Sequence, residues 1–250
     1  MKKLIISFLL GLLPLFASAQ NELLFTQANE AYNKGDYTKA VELYEKIEKT
    51  GNVSENLYFN LANSYYKLQK VAPSIYNYEK ALNIAPNNQD IIDNYRFAQN
   101  MRIDQIDSLP QGILTRTYKS LVNSWSVDTW AWLSVVFIFL FAIAFFFFYR
   151  AKFPQERKLF FGGWSLSIIL SLLCLIFAFQ TESYKANTNF AIVFASESTI
   201  QSEPNLRSEK LFKLHEGTKV QIMDNVDDWK QIKLTDGKTG WIAKTELKEI

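Results

Sequence analysis

Histidine and cysteine are almost absent: each occurs once in 250 residues, as His215 and Cys174. One histidine cannot form the cluster that holds a catalytic zinc ion, and it gives no serine or cysteine a dedicated base. Its position directly before Glu216-Gly217 predicts a solvated turn. Cys174 lies within a long apolar run, where it can form no intrachain disulfide and is a poor nucleophile. The chain therefore has no residues for the common metal-dependent or nucleophilic reactions.

Other absences exclude further classes of function. With nine glycines in total, the chain has no glycine-rich phosphate loop. Asp227 and Asp228 are adjacent, which favours turn formation over an acid–base pair. The 27 basic and 25 acidic side chains give a net charge of +2 without a basic face for nucleic acid. We expect no enzyme activity, no cofactor, no metal site and no nucleic-acid partner.

Two long hydrophobic runs dominate the middle of the chain, over Trp130–Tyr149 and Leu159–Phe179. Each is about 20 residues long and uncharged, enough for a helix to cross a hydrocarbon core of roughly 30 Å. The second run also contains Gly162, Ser165 and Ser171, small residues that let another helix approach closely. A buried hairpin in a soluble protein would need a larger surrounding core than the flanking segments supply. The runs predict a transmembrane hairpin.

The short segment between the runs, residues 150–158, determines the expected orientation. It carries four basic residues and one acidic residue: Arg150, Lys152, Arg157, Lys158 and Glu156. Short cationic loops stay in the cytoplasm. We therefore expect a multi-pass protein of the inner (cytoplasmic) membrane, with its N- and C-terminal domains in the periplasm.

The first 19 residues follow the pattern of a secretory signal peptide. Lys2 and Lys3 precede an apolar run that ends at the small residues Ala17-Ser18-Ala19. Cleavage after Ala19 is the favoured interpretation, and an uncleaved first helix is the alternative. Both place the following segment outside the cytoplasm.

Residues 20–100 contain an internal repeat of 34 residues. The matching positions are Ala28-Asn29 with Ala62-Asn63, Tyr32 with Tyr66, and Tyr44-Glu45-Lys46 with Tyr78-Glu79-Lys80. The pattern resembles tetratricopeptide repeats over 21–54 and 55–88, each a pair of helices whose close crossing needs a small residue. A third unit would place Arg96 at that crossing, so we expect the array to end with a solvated capping helix over 89–100.

Such an array binds its partners through the concave face that its first helices line. The candidate residues are Phe25, Asn29, Tyr32, Phe59, Asn63, Tyr66 and Lys67. The two asparagines can bind a peptide backbone. For Tyr44 and Tyr78 a core position is favoured instead. Only Lys67 suits the carboxylate clamp that some tetratricopeptide proteins use for chaperone tails, so this ligand class is not expected.

Residues 101–128 form a juxtamembrane linker. After Asp104, Asp107 and a Pro-Gln-Gly turn, an apolar stripe recurs at helical spacing, with basic residues off the stripe. The stripe consists of Leu114, Tyr118, Leu121 and Trp125, and the basic residues are Arg116 and Lys119. The pattern indicates a short helix that either lies in the membrane interface or packs against the repeats.

Residues 187–250 alternate apolar and polar side chains over short segments separated by Glu216-Gly217 and Asp236-Gly237 turns. The pattern that runs from Gly217 through Asp228-Trp229 to Gly240-Trp241-Ile242 resembles bacterial SH3 domains, which implies a small β barrel. Residues 199–204 depart from that family's usual sequence. Trp229 and Trp241 are assigned to the barrel core in preference to a ligand-binding surface, which is the alternative.

The complete chain is predicted to be multidomain, α then β: a tetratricopeptide helical array, a two-helix transmembrane hairpin and a C-terminal SH3-like barrel. This order resembles the BatE-type proteins of Bacteroides aerotolerance (Bat) operons. The resemblance implies partners with von Willebrand factor A domains, further tetratricopeptide proteins and a MoxR-type ATPase, and a role in aerotolerance or envelope stress. We expect a non-enzymatic membrane scaffold. The alternatives are a peptidoglycan-binding sensor and an accessory subunit of a wall hydrolase or secretion machine.

Overall fold

The structure, a computed structural model, describes residues 20–107, 109, 112–122, 124–187 and 189–250. The predicted signal peptide over residues 1–19 lies outside the described residues. The chain divides into two compact units. One contains the helical array and the C-terminal barrel, Phe190–Ile250, and the other is the segment Leu109–Asn189 between them.

Five helices form the array. They are α1 (20–33), α2 (Tyr37–Glu48), α3 (Glu55–Lys67), α4 (Val71–Ile84) and α5 (Gln89–Gln99). Ala28 and Ala62 are 0% exposed, as expected for the small residues at the two helix crossings. Tyr44 and Tyr78 are 1% exposed, which confirms their assignment to the core. The Ser54 hydroxyl caps α3 by accepting a hydrogen bond from the Leu57 N–H.

Helix α5 ends the array, but it is less solvated than the sequence predicts. Arg96 is exposed and pairs with Asp93 at 3.0 Å, which agrees with the end of the repeat at this position. The opposite side buries Ile91 and Ala98. The expectation of a solvated helix is wrong for this side because a cap must still cover the apolar face of the preceding helix pair.

The barrel is a seven-stranded antiparallel sheet with the strand order β3-β2-β6-β5-β4-β1-β7. The strands are β1 (Asn189–Val193), β2 (Glu197–Gln201), β3 (Lys210–His215), β4 (Lys219–Val226), β5 (Trp229–Lys233), β6 (Thr239–Ala243) and β7 (Leu247–Glu249). The Asp236-Gly237 turn joins β5 to β6, and Gly237 has φ +91°. A Cβ atom on Gly240 would lie 2.4 Å from Cγ2 of Ile200, so only glycine fits there.

The second unit contains helices α6 (Ile113–Val122), α7 (Val127–Arg150) and α8 (Pro154–Asn187). Helices α7 and α8 are antiparallel, and the Oγ atoms of Ser134 and Ser171 meet at 3.0 Å between them. By length and composition, the structure has two helices able to cross a membrane, Val127–Arg150 and Pro154–Ser183, and few of their apolar side chains are buried. Ser171 is one of the small residues expected to let another helix approach closely, and here the other helix is α7.

The array and the barrel share an apolar core. Ile192 of β1 is 0% exposed and packs among the buried residues of α3, α4 and α5. A Cβ atom on Gly217, which has φ +83°, would lie 2.8 Å from Val71 and 2.9 Å from Ile75. Phe194 stacks edge-on against Tyr76 with 5.7 Å between ring centroids. The barrel therefore packs tightly against α4 of the second repeat.

Polar groups, most of them half-buried, hold the same interface together. Asp104 accepts hydrogen bonds from the His215 N–H at 2.6 Å and the Thr218 hydroxyl at 2.7 Å. Its other carboxylate oxygen lies 2.8 Å from Nδ1 of His215. Lys219 donates to the buried carboxylate of Glu79 at 2.7 Å. The prediction of a solvated His215 is wrong, because the linker after α5 covers this turn.

Replacement of Asp104 with asparagine should loosen the interface. Burial alone would raise the pKa of Asp104, but hydrogen bonds from His215 and Thr218 outweigh burial and hold the pKa below its usual range. The carboxylate therefore stabilises the fold fully above about pH 4, and its contribution disappears as the pH falls through the lowered pKa. We expect Asp104→Asn to cost about 1–3 kcal/mol at pH 7.

The measurement is urea unfolding of the full chain in detergent, followed by tryptophan fluorescence at pH 7 and below pH 4. Asp107→Asn is the matched control, because Asp107 is exposed. The groups that face Asp104 are His215 and Thr218, and Glu197 lies 3.8 Å from Nε2 of His215. Equal stability of the two variants at pH 7 would contradict the assigned role of Asp104. The difference between them should shrink in acid.

Candidate partner-binding surfaces

The predicted groove residues lie on the first helix of each repeat. Helix α1 carries Phe25, Asn29 and Tyr32, and helix α3 carries Phe59, Asn63, Tyr66 and Lys67. All except Lys67 are half-buried, and Lys67 is exposed. The helical repeat therefore aligns equivalent side chains of α1 and α3, but much of their aromatic surface packs against the array itself.

In the first repeat, Asn29 is held by its neighbours through its carbonyl oxygen. That oxygen accepts hydrogen bonds from the Tyr44 hydroxyl at 2.5 Å and from the Asn60 amide at 3.1 Å. Phe25 packs edge-on against the ring of Tyr44, with 5.7 Å between centroids. Burial raises the pKa of Tyr44 to about 12, so its hydroxyl stays protonated and donates to Asn29.

The second repeat has the same arrangement 34 residues later. The carbonyl oxygen of Asn63 accepts from the Tyr78 hydroxyl at 2.5 Å. Phe59 lies against Tyr78, with 6.1 Å between centroids. Burial is also the largest cause of the raised pKa of Tyr78. The sequence analysis did not predict the Tyr–Asn hydrogen bond. The signal for it was that the tyrosine and the asparagine both recur after 34 residues.

These bonds determine what the asparagines can offer a ligand. The oxygen of each side chain is used internally, so only the Nδ2 group of Asn29 and Asn63 is available as a donor. Over the described part of the chain, neither Nδ2 atom donates to a protein group. The two amides can therefore donate to carbonyl oxygens of an extended peptide. The oxygen of Asn29 already accepts two hydrogen bonds, whereas that of Asn63 accepts one and can still accept another.

The other groove candidates make the surface mainly apolar. Tyr32 packs edge-on against Tyr37 at 5.3 Å, and Tyr66 lies at the edge of the core of the second repeat. Burial is the main cause of the raised pKa of Tyr32. Lys67 is the one cation among the seven candidates. This surface suits an uncharged peptide segment better than a carboxylate-rich tail.

A second candidate surface lies on the barrel. Trp229 lines an open pocket of about 560 Å³ together with the Pro204–Arg207 loop, Asp228 and Ala243. Leu206, at the tip of this loop, is 80% exposed. The loop begins at Pro204, the last residue of the 199–204 stretch that departs from the bacterial SH3 pattern. The lining of the pocket is predominantly apolar and includes Arg207.

The assignment of Trp229 and Trp241 to the barrel core is wrong. Side chains alternate along a strand, and Ile232 and Ile242 occupy the inward positions at 0% exposed. Both tryptophans therefore face outward from β5 and β6 and are half-buried there. Trp229 lines the pocket, whereas Trp241 does not. Their large apolar area led to the core assignment, but the register of the strands determines the outcome.

Over the described residues, no group of three or more His, Cys, Asp or Glu side chains could hold a metal ion. Both nitrogens of His215 face carboxylates, those of Asp104 and Glu197, and its backbone N–H also bonds Asp104. This arrangement holds the barrel against the array.

Comparison with protein families gives two matches. The model of the bacterial SH3 domain matches residues 199–248, and the model of the tetratricopeptide repeat matches residues 55–88. No curated protein matches the chain significantly. Both modules indicate interaction with proteins or with cell-wall components, and bacterial SH3 domains are usually extracytoplasmic. The tetratricopeptide match has the same bounds as the second repeat predicted from the sequence.

Proposed function

We propose that this chain is a non-enzymatic, membrane-anchored scaffold that recruits protein partners outside the cytoplasm. The observation that carries the proposal is the shared core of two interaction modules, through which Ile192 of the barrel packs among the helices of the array. One compact unit thus presents both the groove of the array and the pocket of the barrel. The apolar helices between the modules supply the anchor.

Helices α7 and α8 lie between the array and the barrel in the sequence, and this position supports a transmembrane hairpin. The array precedes these helices and the barrel follows them, yet array and barrel pack together in one unit. Both ends of the apolar segment must therefore return to the same side of a membrane, which two spans achieve and one span does not. The cations of residues 150–158 favour a cytoplasmic turn. The array and barrel then lie in the periplasm, at the inner membrane.

Topology can be tested with a reporter that is active only outside the cytoplasm. Because the loop cations keep the turn inside, we expect activity for fusions after Asn100 and after Ile250, and none after Pro154. A reporter active only in the cytoplasm, fused at the same positions, is the control and should give the opposite pattern. Extracytoplasmic activity after Pro154 would overturn the orientation and the location of both modules.

We assign recruitment to the groove of the array, through the free amide donors of Asn29 and Asn63. The double variant Asn29→Asp and Asn63→Asp keeps an acceptor for the hydroxyls of Tyr44 and Tyr78 but replaces each donor with a negative charge. We therefore expect it to remain folded while partner binding weakens by about 2–4 kcal/mol. The alanine variants would be less informative, because they leave two buried tyrosine hydroxyls without an acceptor.

The measurement is crosslinking in native membranes, followed by affinity purification and quantitative mass spectrometry. Asn83→Asp with Asn87→Asp is the matched control, since it adds the same charge at exposed positions outside the groove. If the groove variant recovers its partners undiminished, a surface other than the groove recruits them.

The same experiment identifies the proteins of the complex. The resemblance to BatE-type proteins leads us to propose von Willebrand factor A-domain proteins and tetratricopeptide proteins in an aerotolerance or envelope-stress assembly.

A second candidate function is favoured by the pocket beside Trp229. An exposed apolar pocket on an extracytoplasmic SH3 domain suits a wall peptide, so the chain would sense or bind peptidoglycan. The same surface would serve an accessory subunit of a wall hydrolase or secretion machine. In each case the pocket of the barrel binds the wall or its enzyme, while the array recruits a protein partner.

Trp229→Ala separates this function from a pure scaffold. If the pocket binds a wall peptide, removal of its aromatic wall should weaken binding of the detergent-solubilised full chain to peptidoglycan, measured by sedimentation, about fivefold or more, because a buried aromatic anchor contributes at least about 1 kcal/mol. Trp241→Ala removes the same side chain from the same face of the sheet but not from the pocket. Equal binding by the two variants, or none by the parent, would contradict wall binding at this site.

A further inference from the structure

Helix α6 has one apolar side that is exposed among the described residues. Leu114 is 87% exposed, Leu121 is 51% exposed, and Trp125 just beyond the helix is 50% exposed. At 100° per residue, the side chains of Leu114 and Leu121 lie about 20° apart on α6. Arg116 and Lys119 lie on the opposite side and are also exposed. This pattern is typical of a helix that lies flat in a membrane interface.

The end of α6 is attached to both apolar helices. The carbonyl oxygen of Val122 accepts a hydrogen bond from Nε1 of Trp130 at 3.0 Å and another from the Thr181 hydroxyl at 3.1 Å. Trp130 belongs to α7 and Thr181 to α8. The Tyr118 hydroxyl also bonds the side chain of Gln180. These contacts within one compact unit fix the level of α6 along the helix pair.

That level is the end of the pair remote from the basic turn. Trp130 lies in the first turn of α7, which has 24 residues and ends at Arg150. At 1.5 Å per residue, the two ends are about 36 Å apart, close to the thickness of a bilayer core with part of its interface. Trp125 and Trp130 meet here with 4.8 Å between ring centroids, and tryptophan side chains favour this depth.

We propose that α6 is a lipid-binding helix that lies in the membrane interface on the side away from the basic turn. Leu114, Leu121 and Trp125 enter the acyl boundary, while Arg116 and Lys119 pair with the headgroups of anionic phospholipids. The partner is the lipid surface itself, since the hydrogen bonds of Val122 place the helix where a bilayer around α7 and α8 ends. This inference rests on the proposed hairpin.

Depth-dependent quenching in nanodiscs tests the position of α6. In full chain with Cys174→Ala, a bimane probe is attached through one of three substitutions, Leu114→Cys, Ser120→Cys or Val136→Cys, and brominated phospholipids serve as quenchers. Val136 is an exposed residue of α7 and reports on the hairpin alone. We expect strong quenching at Val136 and Leu114 and weak quenching at Ser120, which lies on the polar side of α6.

The outcomes distinguish the two proposals. No quenching at Val136 would overturn the hairpin and this inference with it. Quenching at Val136, with Leu114 quenched no more than Ser120, would overturn the interfacial helix and leave the hairpin intact.

A second experiment tests whether α6 prefers anionic lipid. Nanodiscs of one mixed composition are prepared with either the anionic or the zwitterionic lipid brominated. At Leu114 we expect the brominated anionic lipid to quench at least about twofold more per mole, because each basic side chain near the surface enriches anionic lipid several-fold. Arg116→Gln with Lys119→Gln should remove this preference while quenching by total lipid remains. An equal effect of both lipids on the parent would overturn the role of the two cations.

Discussion

The contact between the array and the barrel is the constraint on which the rest of the structure depends. Its apolar part buries Ile192 completely and brings Gly217 so close to α4 that no Cβ atom fits there. Its polar part satisfies the buried carboxylate of Glu79 and the half-buried carboxylate of Asp104 with donors from the barrel. A buried carboxylate without its partners is costly, so the polar contacts specify one docked arrangement and the apolar contacts stabilise it.

This contact limits where the chain can go between its two modules. The segment Leu109–Asn189 leaves the unit and returns to it, so the membrane anchor proposed for this segment needs an even number of crossings. The polar contacts within the insertion satisfy a second requirement. Inside hydrocarbon, unpaired hydroxyl groups are unfavourable, and Ser134 and Ser171 bond each other and each other's backbone carbonyl. These hydrogen bonds therefore hold α7 and α8 together as a pair, as the proposed anchor requires.

The periodicity of the sequence predicted the helices and strands. It did not predict the features that depend on contacts between residues far apart in the chain. The 34-residue repeat gave the helix pairs and the buried Tyr44 and Tyr78, and the alternation of apolar residues gave the barrel. Asp104 and His215 are 111 residues apart, with an apparent linker and a predicted solvated turn as their only local signals. No pattern in a single sequence encodes such a pairing. The outward position of Trp229 was missed because apolar area does not show which face of a strand is buried.

The groove and the barrel meet on one helix, which gives the proposed scaffold a physical basis. On α4, Tyr78 bonds Asn63 of the groove, and the next residue, Glu79, bonds Lys219 of the barrel. Tyr95 of α5 contacts both, with its ring near Tyr78 and its hydroxyl 2.5 Å from Glu79. A partner that binds both surfaces therefore meets two sites already held at a fixed separation. It loses little conformational entropy on the second contact, so two weak sites can together bind tightly.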